Sequence, residues 1–218
     1  MEKKKKITKE DLINSFMNHV LEHNEQPKSV YAFAKANNIS ETQFYKYFGS
    51  FDALEQHIFE AFFINTLNVL DKSPDYLSFD ARNKLLSFYF TFFENLTANR
   101  SYVVSTLKDY KNGLKTLNKL KGLRSLFTKY ISDLNIETLE IKQESLEKLQ
   151  HKSLQESAWI QFLMTLKFWL DDSSASFEKT DIFIEKSINA SFDLIDVKPI
   201  KSVIDLGKFL FKEKMFMN

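Results

Sequence analysis

Residues 32–59 read AFAKANNISETQFYKYFGSFDALEQHIF, and their punctuation decides how the whole chain is read. Asn37-Asn38 can end a short apolar helix, because asparagine accepts the left-handed backbone of a helix stop. Ser40 is a cap that starts the next helix, Gly49 ends it, and Ser50 caps a third, much longer one. Ile39, Phe44 and either Tyr47 or Phe48 can face inward, which leaves Thr42, Gln43, Tyr45 and Lys46 on the outer side. Two short helices joined by the tight turn ANNIS, with a helix before them, form a helix-turn-helix. The second helix of such a pair must expose polar side chains toward DNA. Thr and Gln suit base edges, Tyr and Lys suit phosphates. The candidate DNA contacts are therefore Thr42, Gln43, Tyr45, Lys46 and Tyr47, with Ser29 at the start of the preceding helix.

Working outward, Thr8–His23 places Leu12, Ile13, Phe16, Val20 and Leu21 on one stripe, with Thr8 as N-cap and Asp11 as its capping-box partner. The helix after Ser50 runs to about Asp71, where a linker containing Pro74 follows. Beyond it the pattern predicts helices near 79–97, 100–110, 112–133, 137–170, 177–197 and 200–216. Four glycines and three prolines in 218 residues argue against a turn-rich β protein. The expectation is an all-α fold, with a helix-turn-helix domain over 1–50 joined by a long helix to a helical bundle over 51–218.

Composition narrows the function. The net charge is +1 and there is no cysteine, which fits a reducing compartment and removes disulfides and thiolate metal sites. Lys3 to Lys6 are not followed by an apolar segment of a secretion signal, and no uncharged run approaches membrane-spanning length. A soluble cytoplasmic protein without stable membrane insertion is expected. No phosphate loop or nucleophile elbow occurs, and His19 and His23, one turn apart, lack a convincing third ligand. Neither enzyme activity, metal nor cofactor is expected.

The run from Ile7 to Phe59 resembles the DNA-binding domain of the TetR family of bacterial regulators. Ala34, Ile39 and Ser40 match the family's turn, Tyr45, Tyr47 and Phe48 its recognition helix, and Leu54 the linker into the long fourth helix. Asn38 stands where the family has a turn glycine, and Phe51 and Asp52 where it has a phosphate-binding lysine. The resemblance implies a two-fold dimer whose helical ligand-binding domain controls binding to a double-stranded DNA operator, most often as a repressor. Residues 10–60 hold three lysines against eight carboxylates, a net of −5, so phosphate neutralisation falls to the N-terminal tail. There Lys3, Lys4, Lys5, Lys6 and Lys9 face Glu2 alone, and Lys4, Lys5 and Lys6 join the candidate DNA contacts.

The larger part is crowded with aromatics, and FYFTFF (88–93) is aromatic on nearly every side of its helix. Such a helix is either fully buried or lines a cavity. As walls for an apolar or lipid-like ligand the candidates are Phe63, Phe88, Phe92, Tyr102, Phe127, Tyr130, Trp159 and Phe162, and Asn95, Arg100, His151 and Gln161 could orient a head group. Residues 168–188 carry Asp172, Ser174, Thr180 and Phe183 in a pattern that resembles the lipid-binding ubiquinone-biosynthesis accessory proteins of TetR-like fold. That resemblance implies the alternative of a lipid-binding protein that no longer binds an operator. Basic amphipathic stretches at 111–132 and 201–216 can lie on an anionic surface, but packing on the bundle is the preferred reading. The homodimer interface is expected among late helices, around residues 150–195.

Overall fold

The structure, a computed structural model, describes residues 7–107, 117–136 and 144–196, with backbone alone at 144–147 and 196. Lys4, Lys5 and Lys6, the basic residues Lys111 and Lys115, and the stretch 201–216 lie outside the described residues. Every regular element among the described residues is helical, as the all-α expectation requires: α1 (Lys9–His23), α2 (Val30–Ala36), α3 (Glu41–Tyr45), α4 (Phe51–Leu70), α5 (Pro74–Ser78), α6 (Ala81–Ala98), α7 (Arg100–Leu107), α8 (Lys121–Asp133), α9 (Glu144–Asp171) and α10 (Glu178–Asp196), with a 3-10 turn at Ala175–Phe177. The chain divides into two compact units, residues 1–72 with 91–127 and residues 73–90 with 128–218.

In the first unit the caps lie where the sequence puts them. The Thr8 amide donates to the Asp11 carboxylate at 2.9 Å and the Asp11 amide donates back to Thr8 Oγ1 at 3.1 Å, a closed capping box. Asn24 (φ 55°) and Asn38 (φ 56°) supply the left-handed turns after α1 and α2. Ser29, Ser40 and Ser50 each accept the backbone N–H three residues on. Leu12, Phe16 and Val20 are buried, whereas Leu21, assigned to the same stripe, is 41% exposed. It lies one residue past Val20, and the extra 100° of turn carries it off the buried face.

Phe51, half-buried, is the ring that three buried aromatics of this core share. Its ring lies 5.4 Å from Phe16, 5.6 Å from Phe33 and 5.3 Å from Phe44. The position that the family resemblance marks as a phosphate contact is here an aromatic keystone joining α1, α2, α3 and α4.

A second feature of the first unit is polar and buried. Glu55 on α4 is 1% exposed, and the Lys119 ammonium lies 3.1 Å from its carboxylate while donating to the Thr106 carbonyl at 3.0 Å. Gln56, next in the chain, donates to the Asn118 carbonyl at 3.0 Å. Lys119 is thus not on a solvated basic face. The predicted helix 112–133 is also interrupted, with a turn at Leu120 before α8 begins. At Gly122 an added Cβ would meet the Glu60 side chain, so the Glu60 carboxylate lies against the first turn of α8 where no side chain stands.

The second unit contains α5, where the sequence reads as a linker. Pro74 at its first position lacks the N–H that a helix start leaves unpaired, and Tyr76 is buried. The Tyr76 and Tyr130 hydroxyls bond at 3.0 Å, and Tyr130 also donates to the Lys84 carbonyl at 3.1 Å. Trp159 stacks on Phe162 at 5.3 Å, and α9 packs against α10. Asp172 closes the connection between these two helices. Its carboxylate accepts from the Ser174 amide and hydroxyl at 2.8 and 2.7 Å, and from the Thr180 amide and hydroxyl at 3.0 and 2.7 Å. Burial alone would raise its pKa, but these four donors outweigh burial and hold the carboxyl at about 2. The Asp172, Ser174 and Thr180 pattern is therefore a helix-entry device.

Candidate DNA-reading helix and effector cleft

The helix-turn-helix presents a narrow set of side chains. α3 buries Phe44, with Phe48 and Ile39 buried on either side, so Phe48 and not Tyr47 takes the inward position. Thr42, Tyr45 and Lys46 are exposed, Tyr45 by 52%. Gln43 is half-buried, and its Oε1 accepts from the Ser40 amide at 2.9 Å, completing a capping box. Tyr47 is half-buried, and its hydroxyl donates to the Ile7 carbonyl at 3.3 Å. The six candidates of the helix-turn-helix thus divide. Thr42, Tyr45 and Lys46 face outward, Gln43 and Tyr47 direct polar atoms into the fold, and Ser29 caps α2 while remaining exposed.

Sequence reasoning passed over Tyr31, which is 61% exposed in the first turn of α2, between exposed Lys28 and Lys35. The available signal was its position, off the inward pair Phe33 and Ala34 and two residues after the Ser29 cap. The eight carboxylates of this region are also not equal. Glu55 is paired with Lys119 and Asp11 is held in the α1 cap. Glu55 is thereby removed from the surface that a phosphate would meet.

The ligand candidates behave differently. Phe63, Phe92, Tyr102 and Phe127 belong to the first unit, and Phe88, Tyr130, Trp159 and Phe162 to the second; all eight are buried. None of them lines the open clefts of the second unit; they are packed core. FYFTFF follows the fully buried alternative except at Phe90, which is 38% exposed.

Open space in the second unit lies beside that core. A cleft of about 440 Å³ is walled by Leu85, Ile131, Leu154, Ala158, Phe192 and Ile195, with Ser153, Ser157, Gln161 and Ser191 among its polar groups. Among the described residues no ionisable side chain lines it. Gln161, one of the four head-group candidates, is oriented by serines: its amide donates to Ser187 Oγ and accepts from Ser191 Oγ, both at 3.3 Å. Of the other three, Asn95 donates to the Phe62 carbonyl at 3.2 Å, Arg100 is in the first unit, and His151 is exposed on α9. The sequence signal for this cleft was the run of small residues Ser153, Ser157 and Ala158 along one side of α9, which leaves space that larger side chains would fill.

A third surface lies on the same unit. Ile160, Met164 and Phe168 follow each other at one-turn intervals on α9, exposed by 57, 58 and 36%, and Ile182 on α10 is 50% exposed. Phe168 stacks on Phe183 of α10 at 4.6 Å, so the two helices share one apolar face.

Among the described residues no helix is long and apolar enough to cross a membrane. Residues 84–210, more than half of the chain, match a family model described as Tetracyclin repressor-like, C-terminal domain. No curated protein matches the chain.

Proposed function

The chain belongs to the Tetracyclin repressor-like (TetR) family, and from that premise we propose that it is a dimeric, cytoplasmic transcriptional repressor released from its operator by an apolar or lipid-like ligand. Regulators of this family bind DNA and a ligand and are in general not enzymes. Residues 1–50 form the reading domain and 51–218 the ligand-binding and dimerisation domain. The observation that carries the reading is α3, capped at Ser40, anchored by Phe44 and Phe48, and turning Thr42, Tyr45 and Lys46 outward. Thr42 reads a base edge, Tyr45 and Lys46 hold phosphates, and Tyr47 and Gln43 set the helix in place. Lys4, Lys5 and Lys6 supply the remaining positive charge from the tail.

The exposed face of Ile160, Met164, Phe168 and Ile182 supports a homodimer interface within 150–195, since a contiguous apolar face of this kind is the usual mark of an association site. Two recognition helices related by that two-fold axis meet half-sites one turn of DNA apart or a multiple of it. A ligand that prefers one spacing of the recognition helices shifts the population toward it, and the operator is released when that spacing misaligns the half-sites. The uncharged cleft between α6, α8, α9 and α10 is the place for the ligand.

One observation favours a second reading. The net charge of −5 over residues 10–60 weakens any DNA surface, as expected for a lipid-binding protein that kept the fold and lost the operator. Titrating the chain with DNA from upstream of its own gene at low salt separates the two. Saturable binding abolished by Lys46→Ala with Tyr45→Ala supports the repressor, and no binding at any salt selects the lipid-binding alternative.

A further inference from the structure

The uncharged cleft does not stand alone. A second opening of about 540 Å³ in the same unit shares Ile136, Phe192 and Ile195 with it as a common wall, and its other side is polar: Asp80, Arg82, Lys84 and Asn135. Here the charges are unequally employed. The Asp80 carboxylate accepts the Asn83 amide at 2.8 Å and so caps the start of α6. The Arg82 guanidinium lies over the Phe192 ring at 5.4 Å and bonds Asp193 at 2.8 Å and Asn189 at 3.4 Å. Lys84 is half-buried, and its ammonium has no hydrogen-bond or ion-pair partner among the described residues.

An apolar trough whose described lining carries no charge, adjoining a half-buried cation unpaired among the described residues, has the polarity of a molecule with a hydrocarbon chain and an anionic head. The chain gains by leaving water along Leu85, Ile131, Leu154 and Phe192. The ammonium gains a partner in a partly desolvated position, where a charge-assisted hydrogen bond is stronger than at an open surface. A cationic head would meet Lys84 and Arg82 with like charge, and a neutral head would leave Lys84 unpaired. We propose that the two adjoining openings hold one molecule of an acidic single-chain amphiphile, its chain in the uncharged cleft and its acid group on the Lys84 ammonium. The proposal rests on reading that cleft as the effector site and specifies which chemistry enters it.

The test uses the purified full-length protein without DNA, so its outcome is independent of operator binding. Binding of dodecanoate, dodecanol and dodecyltrimethylammonium, all below their micellar concentrations, is followed by isothermal titration in the wild type and in Lys84→Met and Lys84→Arg. Dodecanoate is expected to bind best to the wild type, at least tenfold more weakly to Lys84→Met, and nearly normally to Lys84→Arg. Dodecanol affinity is expected to be the same in all three proteins. Ser157→Leu, which narrows the trough, is expected to weaken dodecanoate and dodecanol alike. Equal binding of dodecanoate and dodecanol, or acid binding unchanged in Lys84→Met, overturns the assignment of the head group. Binding of none of the three probes, or undiminished binding in Ser157→Leu, overturns the assignment of the trough. In either case a protein that still binds operator DNA leaves the regulator reading standing.

Discussion

Around Phe51 the first unit is filled. Rings from Phe16, Phe33 and Phe44 close on it, and four helix starts are fixed by Thr8, Ser29, Ser40 and Ser50. In the second unit Phe88 packs on Tyr130 and Trp159 on Phe162, yet beside them Ser153, Ser157 and Ala158 leave a cleft open. Both regions are built from bulky side chains at helical spacing. The first packs them beneath the outward-facing Thr42, Tyr45 and Lys46, and the second has small residues next to them that leave room. Aromatic abundance is therefore a guide to core, and interruption of bulk by small residues is the better guide to open space.

The largest expected break in this comparison is Phe51→Ala. Removing the ring shared by α1, α2, α3 and α4 is expected to cost about 3 kcal/mol. Thermal unfolding should show a lowered midpoint, with DNA binding lost alongside. If the midpoint moved by less than a degree, the central place given to Phe51 would be wrong. Next comes Lys119→Met, which leaves the Glu55 carboxylate buried without its partner, at about 2–3 kcal/mol. Adding Glu55→Met to that variant should restore much of the loss in urea unfolding. A double variant no better than the single one would show that the ion pair is not what matters there.

In the second unit the pH dependence of stability isolates Asp172. Its folded pKa, about 2, lies below the ordinary value of 3.8, so its contribution is fully present above 3.8 and is lost as pH falls toward 2. Asp172→Asn is expected to be less stable than the wild type at neutral pH, by about 1–2 kcal/mol. The difference should shrink as acid is added over that window. A gap that stayed constant down to the lower pH would contradict the four-donor arrangement. The smallest effect is Gln43→Ala, where losing half of the α3 capping box is expected to cost about 0.5–1 kcal/mol. Base preference should change less than in Thr42→Ala, as a binding assay on operator variants would show.

The first unit was legible in sequence because its signals are local. A cap is one residue, the left-handed stop at Asn38 is one residue, and Phe44 declares the buried side of α3, whereas the choice between Tyr47 and Phe48 stayed open in the sequence. What was not legible depends on partners distant in the chain. Nothing in the sequence near Tyr47 shows that its hydroxyl reaches the Ile7 carbonyl forty residues away. Nothing near Lys119 shows that it is drawn inward by Glu55. The effector candidates followed the same limit, since aromatic content identifies what is buried but not where packing stops short. Gln161 was the member of that set placed at the cleft, and small neighbours rather than aromatic ones put it there. The short helix α5 was missed because Pro74 reads equally as a break and as a helix start.

Fluorescence anisotropy with DNA from upstream of the chain's own gene tests the proposal that α3 reads DNA with the help of the lysine tail. The affinity should fall steeply with salt. Removing residues 1–6 should weaken binding and make that dependence shallower, because every phosphate left without its lysine lowers the log–log slope by about 0.9. Absence of binding at the lowest salt, or a salt dependence unchanged by the deletion, would contradict it.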